Sequence, residues 1–128
     1  MSQAFARAGV LIQLVVLFVG TQMPGPWRDG AVQRIGAPVD LSALAHFSLF
    51  AGMALLLPWA RWWRLRPWHT PMLGLALALL TEGLQFVAVD RHPNLAGIVQ
   101  DMTGTLLGWT AATAWWQMRL RAPSRSGG

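Results

Sequence analysis

Residues 41–60 read LSALAHFSLFAGMALLLPWA, twenty residues without an Asp, Glu, Lys or Arg and with one ionisable side chain, His46. The hydrocarbon core of a bilayer takes about 20 apolar residues of helix, and this block fills it. The stretch shows neither the two-residue alternation of a half-buried strand nor the single apolar stripe of a soluble helix. Pro38 precedes it and Arg61 follows it. Its reading predicts a transmembrane helix.

Outward from this block the pattern repeats. Residues 71–89 and 98–118 are comparable apolar runs, set off by Pro67 and Pro71 and by Pro93 and Gly97. A fourth run, 8–23, is shorter and carries Gln13, Thr21 and Gln22. Arg7 in front of it suits a cleavable signal peptide. No A-x-A-like site follows, however, and the chain continues Pro24-Gly25-Pro26-Trp27, so a retained span is the better reading. The expected fold is all-α: a single transmembrane domain over residues 1–121, a polytopic four-helix bundle. The Pro/Ser/Gly-rich tail 122–128 is expected to be disordered.

Composition agrees. Of the 128 residues 54% are hydrophobic and only 12% charged, about half the charged share of a soluble protein. The net charge of +5 comes from arginine alone, without lysine. Nucleic-acid binding needs such charge spread over a solvated face, whereas here it flanks the apolar blocks; no nucleic-acid partner is expected. The absence of Cys excludes disulfides, thiol nucleophiles and thiolate metal sites.

Arginine placement also predicts orientation. Arg7, Arg61, Arg64, Arg66, Arg119, Arg121 and Arg125 fall on one side, and Arg28, Arg34 and Arg91 on the other. Positive charge favours the cytoplasm, so both termini and the loop 61–69 are expected there, with 24–40 and 90–97 outside. Trp59, Trp62, Trp63, Trp68, Trp115 and Trp116 gather at the predicted cytoplasmic boundary, where an indole satisfies both its apolar face and its N–H.

Ionisable groups inside a bilayer cost about 2.5–3.5 kcal/mol each on insertion scales. His46, Glu82 with Gln85, and Asp101 with Thr105 therefore ask for a reason. Counted from the predicted outer boundary, His46, Glu82 and Asp101 lie at a common depth of roughly 5–11 Å, and Arg91 can reach the same layer with its long stem. At 100° per residue Gly74, Ala78, Glu82, Gln85 and Val89 share one arc, and Asp101, Gly104, Thr105, Gly108 and Ala112 another. Small residues mark closely packed faces, and Gly104–Gly108 is a GxxxG pair suited to packing. An interior polar cluster follows. Hydrogen bonding between helices is the modest alternative use of such residues.

The order His46-Phe47-x-x-Phe50, Glu82-x-x-Gln85, Arg91, Asp101, Gly108 resembles the VanZ-like family of small bacterial membrane proteins, over about Pro24 to Trp116. The family's Asp-Lys before the His reads Ser42-Ala43 here, with Asp40 nearby; its Asn after the Asp reads Thr105; and His92-Pro93-Asn94 lengthen the step to Asp101. The family takes its name from a role in tolerance to the glycopeptide teicoplanin; the resemblance implies a cell-envelope setting at a bacterial cytoplasmic (inner) membrane, without a defined reaction.

The preferred functional expectation is an outward-facing polar pocket for a lipid-linked, glycan or glycopeptide-like ligand. Arg91 would meet an anionic group, Glu82 and Asp101 would hold hydroxyls, a cation or the arginine, and His46 would exchange protons. The same groups suit general acid–base catalysis by a membrane hydrolase or transferase, although no nucleophile elbow or H-E-x-x-H motif is present. A proton-coupled exporter, assembled as a homo-oligomer with Glu82 as coupling acid, is a further alternative; its site should lie nearer the midplane. No motif calls for a cofactor or metal.

Overall fold

The computed structural model describes residues 1–23, 30, 34, 40–61, 66–85 and 95–121. Among them the chain is helical, without strands, and builds four helices: α1 (Gln3–Gln22), α2 (Leu41–Ala60), α3 (His69–Gln85) and α4 (Leu95–Arg121). By length and composition α1 and α2 are apolar enough to cross a membrane. Arg91, residues 86–89 of the third apolar block and the tail 122–128 lie outside the described residues.

Local chemistry sets the helix ends. The Ser2 hydroxyl accepts from the Phe5 N–H at 3.2 Å, and the Asp40 carboxylate from the Ala43 N–H at 3.1 Å; each satisfies one of the donors a helix start leaves open. α2 ends two residues after Pro58 on Arg61, in the left-handed region at φ 45°. Glycine is the usual occupant of such a terminus. α2 coincides with the apolar block 41–60, whereas α1 starts five residues before Ala8 and α4 extends three residues beyond either end of 98–118. The sequence blocks mark the apolar stretch; capping lets the helices continue into more polar sequence.

Residue contacts fix the directions. Arg7 and Gln13 of α1 meet Ala60 and Gly52 of α2, so these helices are antiparallel. Gly74 and Glu82 of α3 meet Thr105 and Gly97 of α4, again antiparallel. His46, Phe47 and Ala51 of α2 meet Asp101, Gly104 and Gly108 of α4, so that pair runs parallel. Chain direction therefore alternates from helix to helix.

The most extensive packing joins α2 to α4, and α3 leans on α4 much more than on α1 or α2. At Gly104 and Gly108 a Cβ would run into the backbone at Phe47 and Ala51; the glycines let two backbones approach as closely as side-chain-free surfaces permit. The apolar core is small, built on Leu17, Phe50, Met53 and Ala78 with Leu14, Leu49, Leu77 and Ile98 against it. Large apolar side chains instead face outward on all four helices, among them Ile12 and Val15, Leu44, Leu79, and Val99 and Leu107.

Candidate functional site

The polar residues occupy the interior that the apolar ones vacate. Asp101 is 0% exposed, and Glu82, Gln85 and Thr105 are also buried. The face predicted for α4, Asp101, Gly104, Thr105, Gly108 and Ala112, is its buried face. On α3 Ala78, Glu82 and Gln85 are buried with Thr70 and Thr81, and Gly74 lies against the Thr105 side chain.

Two polar pairs result. His46 Nδ1 stands 3.3 and 3.5 Å from the two Asp101 carboxylate oxygens, joining α2 to α4. His46 keeps 17% of its side chain exposed, so the pair is closed around the acid and open on the imidazole. Gln85 donates to Glu82 from one turn away, at 3.4 Å, and the Glu82 carboxylate fills the place a Cβ on Gly97 would occupy. Gly97 and Asp101 are one turn apart on α4, about 5.4 Å. The Glu82 carboxyl group of α3 thus reaches the turn of α4 next to the one that carries Asp101.

Thr105, one turn further along, donates to the Asp101 main-chain carbonyl at 2.9 Å. Above the pair, the Gln100 amide donates to the Ala43 carbonyl and ties the start of α4 to the start of α2. Asp40, the acid nearest the His46 block in sequence, is committed to capping α2.

Sequence reasoning missed three contributors. Gly97 reads as punctuation before the fourth block, yet it provides the seat for Glu82; its spacing of four residues from Asp101 places both on one face. Gln100 stands beside Asp101 in the sequence, and no local pattern shows that its amide reaches Ala43. Gln13 read as a weakness of the first block, but its amide packs on Gly52, with its carbonyl oxygen buried and without a hydrogen-bond partner. For Gly97 and Gln13 the signal is a polar residue facing a glycine on another helix; Gln100 instead meets a main-chain carbonyl.

Among the described residues no three His, Asp or Glu side chains come together as a metal-ligand set. Two cavities lie in the other part of the bundle. One, of about 270 Å³, is walled by all four helices, Thr105 and Gly74 included; the other, of about 390 Å³, opens among Arg61, Arg66, Thr113 and Trp116. No family model, characterised protein or solved structure matches the chain.

Proposed function

We propose that this chain is a four-span protein of a bacterial cytoplasmic membrane, with both termini cytoplasmic, whose interior polar cluster near the outer face binds a cell-envelope ligand. The outward apolar side chains on every helix support the membrane placement. So does the low burial within the apolar windows of α1 and α2, 22% and 17%, since a soluble core helix would be mostly enclosed. The VanZ-like order of His46, Glu82, Gln85, Arg91, Asp101 and Gly108 supports the envelope setting and a lipid-linked, glycan or glycopeptide-like ligand.

The observation that carries this reading is two buried carboxyl groups at adjacent turns of the α3–α4 contact, Glu82 of α3 against Gly97 and Asp101 of α4 held against a partly exposed imidazole. On insertion scales an ionisable group costs up to about 2.5–3.5 kcal/mol, the figure for the centre of a membrane helix. An interhelical hydrogen bond in a membrane returns about 0.6 kcal/mol on average and about 1.7 at most. Helix association alone does not offset that cost. A ligand-binding use accounts for it, with Arg91 as the partner for an anionic group.

Expression in a teicoplanin-sensitive bacterium tests the reading. The parent chain should raise tolerance, and Glu82→Gln and Asp101→Asn should each abolish the gain at equal membrane abundance. Protection by both variants at the parental level would reduce the cluster to a structural role. One observation also favours a catalytic variant of the same site: Asp101 engages Nδ1 of His46 and leaves Nε2 for proton transfer. In that case His46→Gln should keep ligand binding and lose turnover.

A further inference from the structure

The opposite end of the bundle has a composition of its own. Seven of the ten arginines, Arg7, Arg61, Arg64, Arg66, Arg119, Arg121 and Arg125, belong to it by sequence, while all five acids, Asp29, Asp40, Glu82, Asp90 and Asp101, belong to the other half. Topology alone asks for basic residues on one side, but it does not ask for a cavity among them. The cavity of about 390 Å³ is lined by Arg61 and Arg66, by Thr113 and Gln117, and by the apolar surfaces of Leu57 and Trp116.

Not every arginine at this end is equally placed. Arg7 donates through Nε to the Ala60 carbonyl at 2.8 Å, and the Arg119 guanidinium sits 4.3 Å from the centre of the Trp115 ring. Arg61 and Arg66 are the described arginines that line the cavity. Arg61 does so from a left-handed backbone position where glycine is the usual residue, so side-chain chemistry is retained at a conformational cost. Trp109, another wall residue, carries a buried indole N–H without a hydrogen-bond partner.

The cavity adjoins a second one. It shares Leu57 and Thr70 with the second cavity, of about 270 Å³, whose walls are Val10, Leu14, Phe50, Leu73 and similar side chains. Leu73, one of these wall residues, is 41% exposed. A cationic cavity beside an apolar one is complementary to an anionic amphiphile. Guanidinium forks match phosphate oxygens, and basic pockets between membrane helices on the cytoplasmic side accept anionic headgroups.

We infer that this cavity binds the phosphate headgroup of an anionic phospholipid of the cytoplasmic leaflet, with Arg61 and Arg66 on the phosphate and the start of an acyl chain along Leu57 and Leu73. The site rests on the membrane placement and orientation of the proposed function, and on nothing else in it. A chain that failed that placement would be missing from the membrane fraction before any lipid was scored.

The test uses the full chain purified in neutral detergent, with phosphatidylglycerol and phosphatidylcholine offered in equal amounts and retained lipid measured by native mass spectrometry. The parent should hold one phosphatidylglycerol with a preference of about tenfold or more. The double variant Arg61→Gly/Arg66→Gln should fall to about equal retention of the two lipids. Arg61→Gly fits the left-handed backbone, so the melting temperature without anionic lipid should be unchanged or higher, separating lost binding from lost folding. Arg119→Gln/Arg121→Gln removes the same two charges from the same end, outside the cavity wall, and should keep the preference. An equal loss in Arg119→Gln/Arg121→Gln would show diffuse surface attraction and overturn the site, as would displacement of the lipid by millimolar inorganic phosphate, which would mark a free-anion site instead.

Discussion

His46 and Asp101 are the residues on which the cluster turns. Asp101 is fully enclosed, and His46 is its side-chain partner from α2 at 3.3 Å. Removing one member of a buried pair leaves the other without compensation, which costs more than removing both. His46→Ala should therefore destabilise the purified protein more than the double variant His46→Ala/Asp101→Asn does. A thermal-unfolding cycle should return a coupling of about 1 kcal/mol or more, and additivity within error would show that the pair contributes no interaction. Arg7 makes a second single-residue prediction. Its Nε–H satisfies the Ala60 carbonyl at the end of α2, where a cation is favoured by about 0.3–1 kcal/mol. Arg7→Gln should lower stability by that order, read as a small drop in melting temperature.

Between elements, the glycines of α4 decide how closely the helices meet. At Gly108 a Cβ would press on the Ala51 main chain, which cannot move aside without shifting α2; at Gly97 it would press on the flexible end of Glu82; at Gly83 of α3, by contrast, it would meet nothing within 4 Å. Alanine should accordingly be worst at Gly108, with a loss of about 1–3 kcal/mol for overpacking. Gly97→Ala should cost less but displace the Glu82 carboxylate. Gly83→Ala should be neutral or stabilising by up to about 1 kcal/mol, because alanine is the better helix former. Melting temperatures of the three variants in one detergent check the order, and a Gly108→Ala protein as stable as Gly83→Ala would contradict the close α2–α4 contact. The faces of α3 and α4 were legible in the sequence because 3.6-residue periodicity is local: Asp101, Gly104, Thr105, Gly108 and Ala112 are the buried set of α4. The partners of those faces were not legible. The GxxxG pair suits either a second chain or a neighbouring helix, and here it is occupied by Phe47 and Ala51 of α2.

For the molecule as a whole, the separation of charge is the main organising feature. Arg7 at the start of α1, Arg61 after α2 and Arg119 near the end of α4 share one end, joined by the Arg7–Ala60 hydrogen bond and by the packing of Trp59 on Trp115 at 5.0 Å between ring centroids. Reporters fused after Arg66 and after Arg91 should accordingly report cytoplasmic and outer locations respectively. An outer location for the Arg66 fusion would end the outer-site reading and place the proposed lipid cavity in the wrong leaflet. Helical character, the apolar blocks, the inward faces of α3 and α4 and the end on which the arginines gather all follow from the sequence by itself, since composition and short-range periodicity are enough to specify them. Tertiary structure alone decided that Asp101 pairs with His46 while Glu82 rests on Gly97, and that a cavity opens beside Arg61 and Arg66. The reason is physical: periodicity fixes which way a side chain faces, but the vertical offset between two helices is set by how their surfaces interlock, and that depends on residues far apart in the chain.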